Sequence, residues 1–579
     1  MMKTLKYVIS ALLLSAACVS CDDILDQTPK DKLTPDEYFK TATDLELFTN
    51  NFYVSVMPSA SDIYDDNMDA IMMRVLSDVV SGQRIIPVSG GGWNWDALRQ
   101  INFYLQHSDQ CNDESARRRY DAVARFFRAF FYFNKVKRFG DCPWYDTVLD
   151  DNDEALYKPR DSREYVMQKL LEDVNYAISY LPTGKDVYRV TKWSALALKS
   201  RMCLYEGTFR KYHGLDDYEK YLTLCVQASS DFMTSSSYTL YSIGSTPYRN
   251  LFASLDAINT EIILARNYNA ALSIRHGAQS FLNSQGQANS GLTKHMVDAY
   301  LMGNGTRFTD QPGWETRQFA AEMQNRDPRL GQTIRIPGGS LGLPNLLYCQ
   351  TGYHLIKFYV DAKYDSPDTS ENDMPVFRTA EVYLNYAEAK AELGTLLQED
   401  IDWSIRLIRQ RASMPNLDLA AANANPDPYL LDPETGYPNV TGPNTGVILE
   451  IRRERAIELI MEGFRYDDLM RWREGASAVN RAFRGLYFPG PGEYDLDGNG
   501  TRDVCIYQNS RPTTTCPYVW EIGNDVILTN ESSGNILIHN NIPRAWNEAR
   551  DYLYPIPSGE RILNHALAQN PGWNDGLNF

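Results

Sequence analysis

The stretch that most constrains the fold is residues 1–26, because it predicts that the rest of the chain folds outside the cytoplasm. Lys3 and Lys6 precede an apolar run from Tyr7 to Ala17 that ends in small residues. This run is too short for a transmembrane helix and is typical of an export signal. No later apolar run approaches the ~20 residues that a membrane-spanning helix needs. We therefore expect a water-soluble body that is attached to a membrane by other means.

A cysteine at the predicted cleavage point indicates lipid attachment. Cys21 has a small polar residue before it and an acidic segment after it, which favours it over Cys18 as the acylated residue. An ordinary secretory signal that is cut after Ala17 is the alternative. Each buried methylene of an acyl chain contributes ~0.8 kcal/mol, so more than one chain anchors a protein stably. The sequence thus predicts a lipoprotein signal peptide over residues 1–20.

Composition excludes some classes of partner and leaves others open. The net charge is −17, and no basic stripe is present that would bind nucleic acid. The seven cysteines beyond the signal contain no CxxC pair, which argues against a zinc framework, while Cys505 and Cys516 are spaced to bridge a loop. The 37 tyrosines and 10 tryptophans suit sugar rings and protein interfaces, and also ordinary core packing.

The spacing of apolar residues predicts a mainly α-helical fold. Phe126, Phe130, Phe133 and Val136 form one stripe of a helix over about 114–139 that ends at Gly140. The other predicted helices cover about 95–106, 162–180, 192–212, 218–233, 378–393, 402–414 and 447–472. Paired amphipathic helices of this kind resemble tetratricopeptide units, although the clean repeat of about 34 residues is missing.

The chain between the helical parts has a different character. Residues 236–375 are dense in Gly, Asn, Ser and Pro, with predicted strands at about 261–265 and 355–360. We predict one domain over residues 21–579. Its parts are an amino-terminal helical part (21–235), a loop-rich insert (236–375), and a carboxy-terminal helical part with a tail (376–579).

Several segments, in order along the chain, resemble the SusD/RagB family of Bacteroidetes outer-membrane lipoproteins. The segments that carry the resemblance are 21–26, 124–143, 190–198, 378–389, 451–472, 552–557 and 569–573. The resemblance implies a helical fold with a scaffold of tetratricopeptide-like helix pairs. It also implies a variable face of loops and short strands that binds a nutrient.

The resemblance further implies a function at the cell surface. It implies a glycan-binding lipoprotein, lipid-anchored in the outer membrane, that forms the lid of a TonB-dependent transporter for oligosaccharide import. One alternative is a lid for peptides, as in the RagB branch, and another is a surface glycoside hydrolase. Catalytic motifs such as HExxH, GxSxG and Walker A are absent from the sequence, so we predict that the protein is not an enzyme.

One arginine-rich segment bears on the hydrolase alternative. Glu454 and Glu458 lie one helical turn apart among arginines, so we expect ion pairs that brace the helix and lower the pKa of both carboxylates. A glycosidase instead needs two carboxylates that face a cleft across ~5 to 9.5 Å.

Candidate ligand-binding residues lie in loop-like settings. Trp93 follows three glycines and is the best candidate for an aromatic platform, with packing on a neighbouring helix as the alternative. The other predicted ligand-binding residues are Trp95, Asp65, Asp66, Asn67, Tyr268, Trp314 and Tyr353.

A second candidate site has the spacing of a calcium loop. Oxygen-bearing side chains occur at alternate positions, with glycine at the sixth position for the sharp turn. The predicted ligands are Asp495, Asp497, Asn499, Thr501 and Asp503. At the twelfth position Ile506 replaces the usual bidentate glutamate. We predict a structural Ca²⁺ here, with a tight Asp/Gly turn between two strands as the alternative.

Overall fold

The computed structural model describes residues 38–284, 286 and 288–579. The predicted export signal and the predicted lipidation site Cys21 lie outside the described residues. In the described part of the chain the α-helices are α1 (Ala42–Ser55), α2 (Ala60–Tyr64), α3 (Asp78–Ser81), α4 (Asp96–His107), α5 (Glu114–Phe139), α6 (Arg163–Tyr180), α7 (Lys192–His213), α8 (Tyr218–Ser235), α9 (Pro247–Ala253), α10 (Ala278–Asn283), α11 (Lys294–Ala299), α12 (Phe319–Glu322), α13 (Leu330–Thr333), α14 (Thr379–Glu392), α15 (Gln398–Trp403), α16 (Ile405–Arg411), α17 (Leu419–Ala424), α18 (Pro428–Leu431), α19 (Thr445–Glu458), α20 (Arg465–Arg471), α21 (Gly475–Asn480) and α22 (Ser558–Leu563). The prediction of a mainly α-helical fold is confirmed.

Within the same described residues, short β-strands form four small sheets. The antiparallel pairs are β1 (Ile71–Met72) with β3 (Gly291–Leu292), β2 (Ile262–Arg266) with β4 (Met374–Arg378), and β5 (Phe483–Phe488) with β9 (Gly534–Ile538). In the fourth sheet β7 (Val504–Tyr507) lies between antiparallel β6 (Gly492–Tyr494) and parallel β8 (Tyr518–Glu521). The predicted strand near 261–265 is confirmed as β2. The predicted strand at 355–360 is wrong: Leu355 makes only an isolated bridge, and the chain then turns.

The long helices pack in the order in which they occur. Each helix from α4 to α8 packs against the next, α8 packs on α14, and α14 packs on α19. Helix α5 begins and ends where the sequence predicts. Its N-cap Asp113 accepts a hydrogen bond from the backbone N–H of Ala116, and Gly140 ends it with φ 71°. The aromatic stripe of α5 is buried against these neighbours. Every helix in the described chain is too short or too polar to traverse a lipid bilayer.

The single long helix predicted over 447–472 is wrong, because two helices, α19 and α20, occupy this segment. Met461 and Gly463 both have left-handed backbone conformations, with φ 60° and 75°. A Cβ at Gly463 would lie 2.6 Å from the backbone oxygen of Asp62, so only glycine fits this approach. The Lys357 ammonium donates to the backbone oxygen of Ile460 at 2.6 Å and satisfies a carbonyl that the broken helix leaves free.

Buried ion pairs join Glu454 and Glu458 of α19 to arginines in distant segments of the chain, one of which lies in the insert. Arg329 donates to Glu454 (2.5 Å) and Glu458 (3.1 Å), and Arg378 donates to Glu458 (2.8 Å). The expectation of bracing within one helix is therefore corrected, because the partners come from distant segments. The expected lowering of the two pKa values is confirmed. Burial alone would raise the pKa of Glu458, but Arg411, Arg378 and Arg329 hold it well below its ordinary value.

Candidate functional site

A cleft around Trp314, here called the Trp314 cleft, combines aromatic rings with convergent polar groups. Its volume is about 140 Å³. Its lining residues are Lys294, His295, Asp298, Trp314, Glu315, Tyr429, Glu434, Thr435, Ala482, Arg484 and Asn535. The rings of Trp314 and Tyr429 lie 5.7 Å apart at 88°, so they form a nearly square corner. Both side chains are partly exposed. This volume is below the ~300 Å³ typical of drug-sized ligands, so the cleft suits one ring of a longer molecule.

Local structure explains how the cleft is assembled. Trp314 begins a 3₁₀ turn over Trp314–Thr316, directly after Gly313 in a left-handed conformation. Tyr429 lies in α18, which Asp427 caps by accepting from the backbone N–H of Tyr429. The Tyr429 hydroxyl donates to the backbone oxygen of His295 at 3.1 Å. This bond fixes the ring against α11, which supplies Lys294, His295 and Asp298 to the cleft.

The floor of the Trp314 cleft is a buried polar network. The Lys294 ammonium donates to Glu322 at 2.5 Å and to Asp298 at 3.1 Å. The Tyr353 hydroxyl donates to the other oxygen of Glu322 at 2.8 Å. Burial raises the pKa of Asp298, Lys294 opposes that rise, and the Glu322 carboxylate adds to it. The network holds Lys294 and Asp298 in fixed positions beneath the aromatic corner.

The network changes the interpretation of Tyr353. Its ring is 0% exposed, so the prediction that it presents an aromatic surface to a ligand is wrong. The loop that contains Tyr353 folds inward, where the ring contacts Phe319 and the hydroxyl reaches Glu322. Tyr353 supports the Trp314 cleft from below.

His295 is held neutral at the edge of this floor. Burial, aided by Arg481, lowers the pKa of His295 to about 4. Its Nδ1 lies 2.8 Å from the Thr293 hydroxyl, and its Nε2 lies 3.4 Å from Asp69. Asp69 is itself paired with Arg465 at 2.6 Å. A neutral imidazole therefore borders the cleft near neutral pH.

Trp93 and Trp95 meet at a second cleft, here called the Trp95 cleft, of about 370 Å³. Trp93 is only 7% exposed, so the prediction of an open platform is wrong for this residue. The three preceding glycines all have positive φ, and the turn that they form folds the Trp93 ring back onto Phe139 at 4.9 Å. Trp95 is partly exposed and contacts Trp93 at 5.2 Å and 84°. Trp93 is thus the floor of this cleft and Trp95 one of its walls.

The remaining predicted ligand residues are not brought to either cleft. Asp65 is exposed, whereas Asp66 is buried, and neither residue lines either cleft, which corrects the prediction that Asp66 faces a ligand. The Asn67 side chain donates to the backbone oxygen of Val75 at 3.3 Å. The Tyr268 hydroxyl accepts from the backbone N–H of Ala60 at 3.0 Å. These contacts give Asn67 and Tyr268 structural partners within the chain.

The predicted calcium loop connects β6 to β7. One carboxylate oxygen from each of Asp495, Asp497 and Asp503 lies within 4.8 Å of the others, a spacing that fits one oxygen-liganded cation. Asp495 also accepts from the backbone N–H of Gly498 and Gly500, at 2.7 Å each. Three of the five predicted ligands thus converge.

The other two predicted ligands of this loop are less well placed. The amide nitrogen of Asn499 donates to Asp497 at 3.0 Å, and the Asn499 side-chain oxygen accepts from the backbone N–H of Thr501 at 2.7 Å. Ile506 is buried within β7 and supplies no ligand. The calcium site stays a prediction.

The described cysteines are buried free thiols, including Cys505 and Cys516. The bridge that their spacing allows is therefore not formed in this structure.

Four residues that line the Trp314 cleft were not predicted from the sequence: Tyr429, Lys294, Asp298 and Asn535. One local signal could have placed Tyr429 in a helix. Asp427 as N-cap and Pro428 as the first helical residue fix the start of a helix in a Pro-rich stretch. Asn535 reaches the cleft through the pairing of β9 with β5, which no local pattern indicates.

Comparisons with known proteins identify similar chains over most of this length. A family model described as the SusD family matches residues 260–573, more than half of the 579-residue chain. The chain is 23% identical to SusD-like protein P38 of Formosa agariphila, over 79% of this chain and 90% of that protein. A shorter match to SusD-like protein P2 of the same organism is 26% identical and covers 36% of this chain and 44% of that protein.

Solved structures share the fold. A crystal structure of a SusD-like carbohydrate binding protein from Bacteroides fragilis superposes with a TM-score of 0.67 at 20% identity, covering 92% of this chain and all of that chain. A second SusD-like protein from that species gives a TM-score of 0.66 at 20% identity over 94% of this chain. The shared fold confirms the predicted scaffold of tetratricopeptide-like helix pairs.

Proposed function

The chain belongs to the SusD family, and from that premise we propose that it binds a glycan in the Trp314 cleft. The observation that carries this proposal is the corner formed by Trp314 and Tyr429, above the polar floor of Lys294 and Asp298. The apolar face of a pyranose ring stacks on an aromatic side chain, and its hydroxyl groups need donors and acceptors at its edge. The Trp314 cleft offers both kinds of contact within one small volume.

The function of the whole protein is proposed from the family resemblance. We propose that the protein is lipid-anchored through Cys21 in the outer membrane, exposed at the cell surface. There it would act as the lid of a TonB-dependent transporter and pass oligosaccharide to the channel. A cleft that takes one ring gives weak affinity for a single site, and a closed lid over a transporter would compensate by raising the effective concentration. The predicted signal supports the lipid anchor, and the fold shared with a SusD-like carbohydrate binding protein supports carbohydrate as the cargo.

Binding is tested with the soluble body, produced without the signal and without Cys21. A panel of plant, host and fungal glycans is screened by affinity electrophoresis, and hits are measured by isothermal titration calorimetry. We expect one polysaccharide class to bind and Trp314→Ala to weaken it by about tenfold, which is about 1.4 kcal/mol.

The control variant is Trp403→Ala. Trp403 is also partly exposed and also contacts a tyrosine, Tyr386, at 5.4 Å and 88°, but it does not line the Trp314 cleft. It should leave glycan affinity unchanged. Equal losses in the two variants, or no binding to any glycan in the panel, would contradict the proposal. Tight binding of a peptide panel would instead favour the RagB-like alternative.

One observation favours the hydrolase alternative enough to require a test. A carboxyl group with a raised pKa, such as Asp298, is what a general acid needs. However, Asp298 is ion-paired with Lys294, and Lys294 is shared with Glu322. We therefore propose that the cleft binds glycan without cleaving it. Release of reducing ends from the bound glycan, lost in Asp298→Asn, would show that the protein is an enzyme.

A further inference from the structure

The Trp95 cleft opens in the middle of an exposed apolar surface. Its walls include Trp95, Tyr145 and Leu149, and its rim includes Tyr157 and Leu563. Tyr157 is 55% exposed and Leu563 is 72% exposed. Large side chains with this exposure around one concave site are uncommon on a protein that has no partner there.

The apolar surface continues beyond the cleft. The backbone N–H groups of Ser558 and Gly559 donate to the backbone oxygens of Pro87 and Val88, both at 2.9 Å. These bonds bring the segment that contains Ile85 and Val88, which are 81% and 71% exposed, beside α22. Helix α22 itself exposes Ile562 at 57% and Leu563. We call the Trp95 cleft with this rim the Trp95 surface.

The charges at the Trp95 surface are mostly acidic. Glu560 lines the cleft, has no ion pair or hydrogen bond from its side chain within the described chain, and has a pKa raised by burial. The turn between Leu149 and Leu156 carries four more acidic side chains, at positions 150, 151, 153 and 154, and no described lysine or arginine pairs with them. Of the nearby cations, Lys158 pairs with Asp161 at 2.6 Å. Arg99 donates to the backbone oxygen of Leu149 at 2.6 Å and keeps its charge, so the cleft lining carries one arginine against the carboxylates of Asp96 and Glu560.

We propose that the Trp95 surface docks a segment of a partner protein that carries a bulky apolar side chain flanked by lysine or arginine. A cavity of about 370 Å³ accommodates one large side chain, and residues that fill such pockets dominate interface energies. A neighbouring basic residue would pair with the Glu560 carboxylate, which has no partner among the residues that the structure describes. This inference is independent of glycan binding, because none of its residues lines the Trp314 cleft.

Two other occupants fit the surface less well. An anionic lipid surface would be repelled by Glu560 and by the acidic turn. A sugar ring would need an open aromatic face, but the Lys135 ammonium lies 4.9 Å from the centre of the Trp95 ring. Trp93 and Tyr145 contact the same ring at 84° and 81°. One face of the Trp95 ring is therefore already occupied by the Lys135 ammonium.

The test uses the soluble body and short fluorescent peptides of matched length. Their central residues are Lys-Lys-Leu-Lys-Lys, Glu-Glu-Leu-Glu-Glu or Lys-Lys-Ser-Lys-Lys, and binding is followed by fluorescence anisotropy. We expect the first peptide to bind about tenfold more tightly than the other two, with an affinity that falls as salt is added. Leu563→Asp should weaken it by about tenfold. Glu560→Gln should remove most of the preference for lysine over glutamate.

The matched control is Leu272→Asp, because Leu272 is 69% exposed but belongs to the insert and does not line the Trp95 cleft. It should leave peptide binding unchanged. Equal binding of all three peptides, or binding that Leu563→Asp does not weaken, would overturn the proposal. So would binding of anionic phospholipid vesicles, or of a glycan, that Leu563→Asp abolishes. Circular dichroism of each variant checks the fold, and Glu560→Gln supplies a second variant with a nearly isosteric change.

Discussion

At the scale of single residues, Asp66 shows what burial does to a carboxyl group that lacks a full set of partners. Its side-chain oxygen Oδ2 has no hydrogen-bond partner in the described structure. Burial raises its pKa to about 7, while Arg465 opposes that rise and Asp69 adds to it. In the unfolded chain the same group titrates near its ordinary value of 3.8. Protonation of Asp66 is therefore coupled to folding.

The sign of this coupling gives a testable pH dependence. The stability contributed by protonated Asp66 is fully present below the unfolded pKa and is lost as the pH rises through about 7. Asp66→Asn cannot ionise, so we expect the variant to exceed the wild type at about pH 9 by about 1–3 kcal/mol in unfolding free energy, and to match it near pH 4. Urea denaturation at both pH values measures the difference.

Asp109→Asn is the control for this prediction, because Asp109 is exposed. Asp109→Asn should cause the same small change in unfolding free energy at both pH values. A loss of stability for Asp66→Asn at about pH 9 would mean that the folded protein holds Asp66 ionised and well paired, contrary to its orphaned oxygen.

The exposure of a predicted site residue depends on how far away along the chain the side chains that cover it lie. Trp314 and Trp93 both follow glycine in loops, yet only Trp314 is left partly exposed. The Trp93 ring is covered by Ile556 and Leu567, more than four hundred residues away, and no local pattern reports such a contact. A contact that is distant in sequence also explains why Tyr353 is buried, because its hydroxyl donates to Glu322 in α12.

At the scale of elements, helix ends were predictable when their signals were local. The N-cap Asp113 and the terminal Gly140 fix α5, and both are read directly from the sequence. The break between α19 and α20 was not predictable, because it depends on the approach of Asp62 to Gly463 and on the bond from Lys357. Apolar periodicity continues across the break, so a single helix was the natural interpretation.

The calcium loop is the element whose function remains to be measured. With three convergent carboxylates but no ligand from Ile506, we expect Ca²⁺ to bind with a dissociation constant of about 10⁻⁴ M or weaker. Isothermal titration of the chelator-treated soluble body should show one site that Asp495→Asn abolishes. Asp525→Asn is the control, since Asp525 also accepts a backbone hydrogen bond in an exposed turn, at 2.9 Å from Glu521. Binding that survives Asp495→Asn would assign the loop to the alternative, an Asp/Gly turn without metal.

At the scale of the whole molecule, the insert shares one hydrophobic core with both helical parts. One continuous cluster of buried apolar side chains includes Phe126 of the amino-terminal part, Leu292 of the insert and Trp472 of the carboxy-terminal part. Buried ion pairs also join the parts. Arg329 of the insert pairs with Glu454 of the carboxy-terminal part, and Arg465 of the carboxy-terminal part pairs with Asp69 of the amino-terminal part. Each carboxylate also has a second arginine, since Arg409 contacts Glu454 at 2.8 Å and Arg481 contacts Asp69 at 2.7 Å. Breaking one pair should therefore cost less than the ~3–5 kcal/mol typical of an isolated buried pair.

These connections predict that residues 38–579 unfold as one unit. Separate opening of the insert would expose Arg329 and its partners Glu454 and Glu458 at once, together with the apolar surface shared with α5. We therefore expect differential scanning calorimetry to show one transition whose calorimetric and van't Hoff enthalpies agree. Arg329→Met should lower the temperature of that transition without splitting it, because the apolar core still joins the three parts. Two resolved transitions in the wild type, or early proteolytic release of the insert, would contradict the prediction of a single domain.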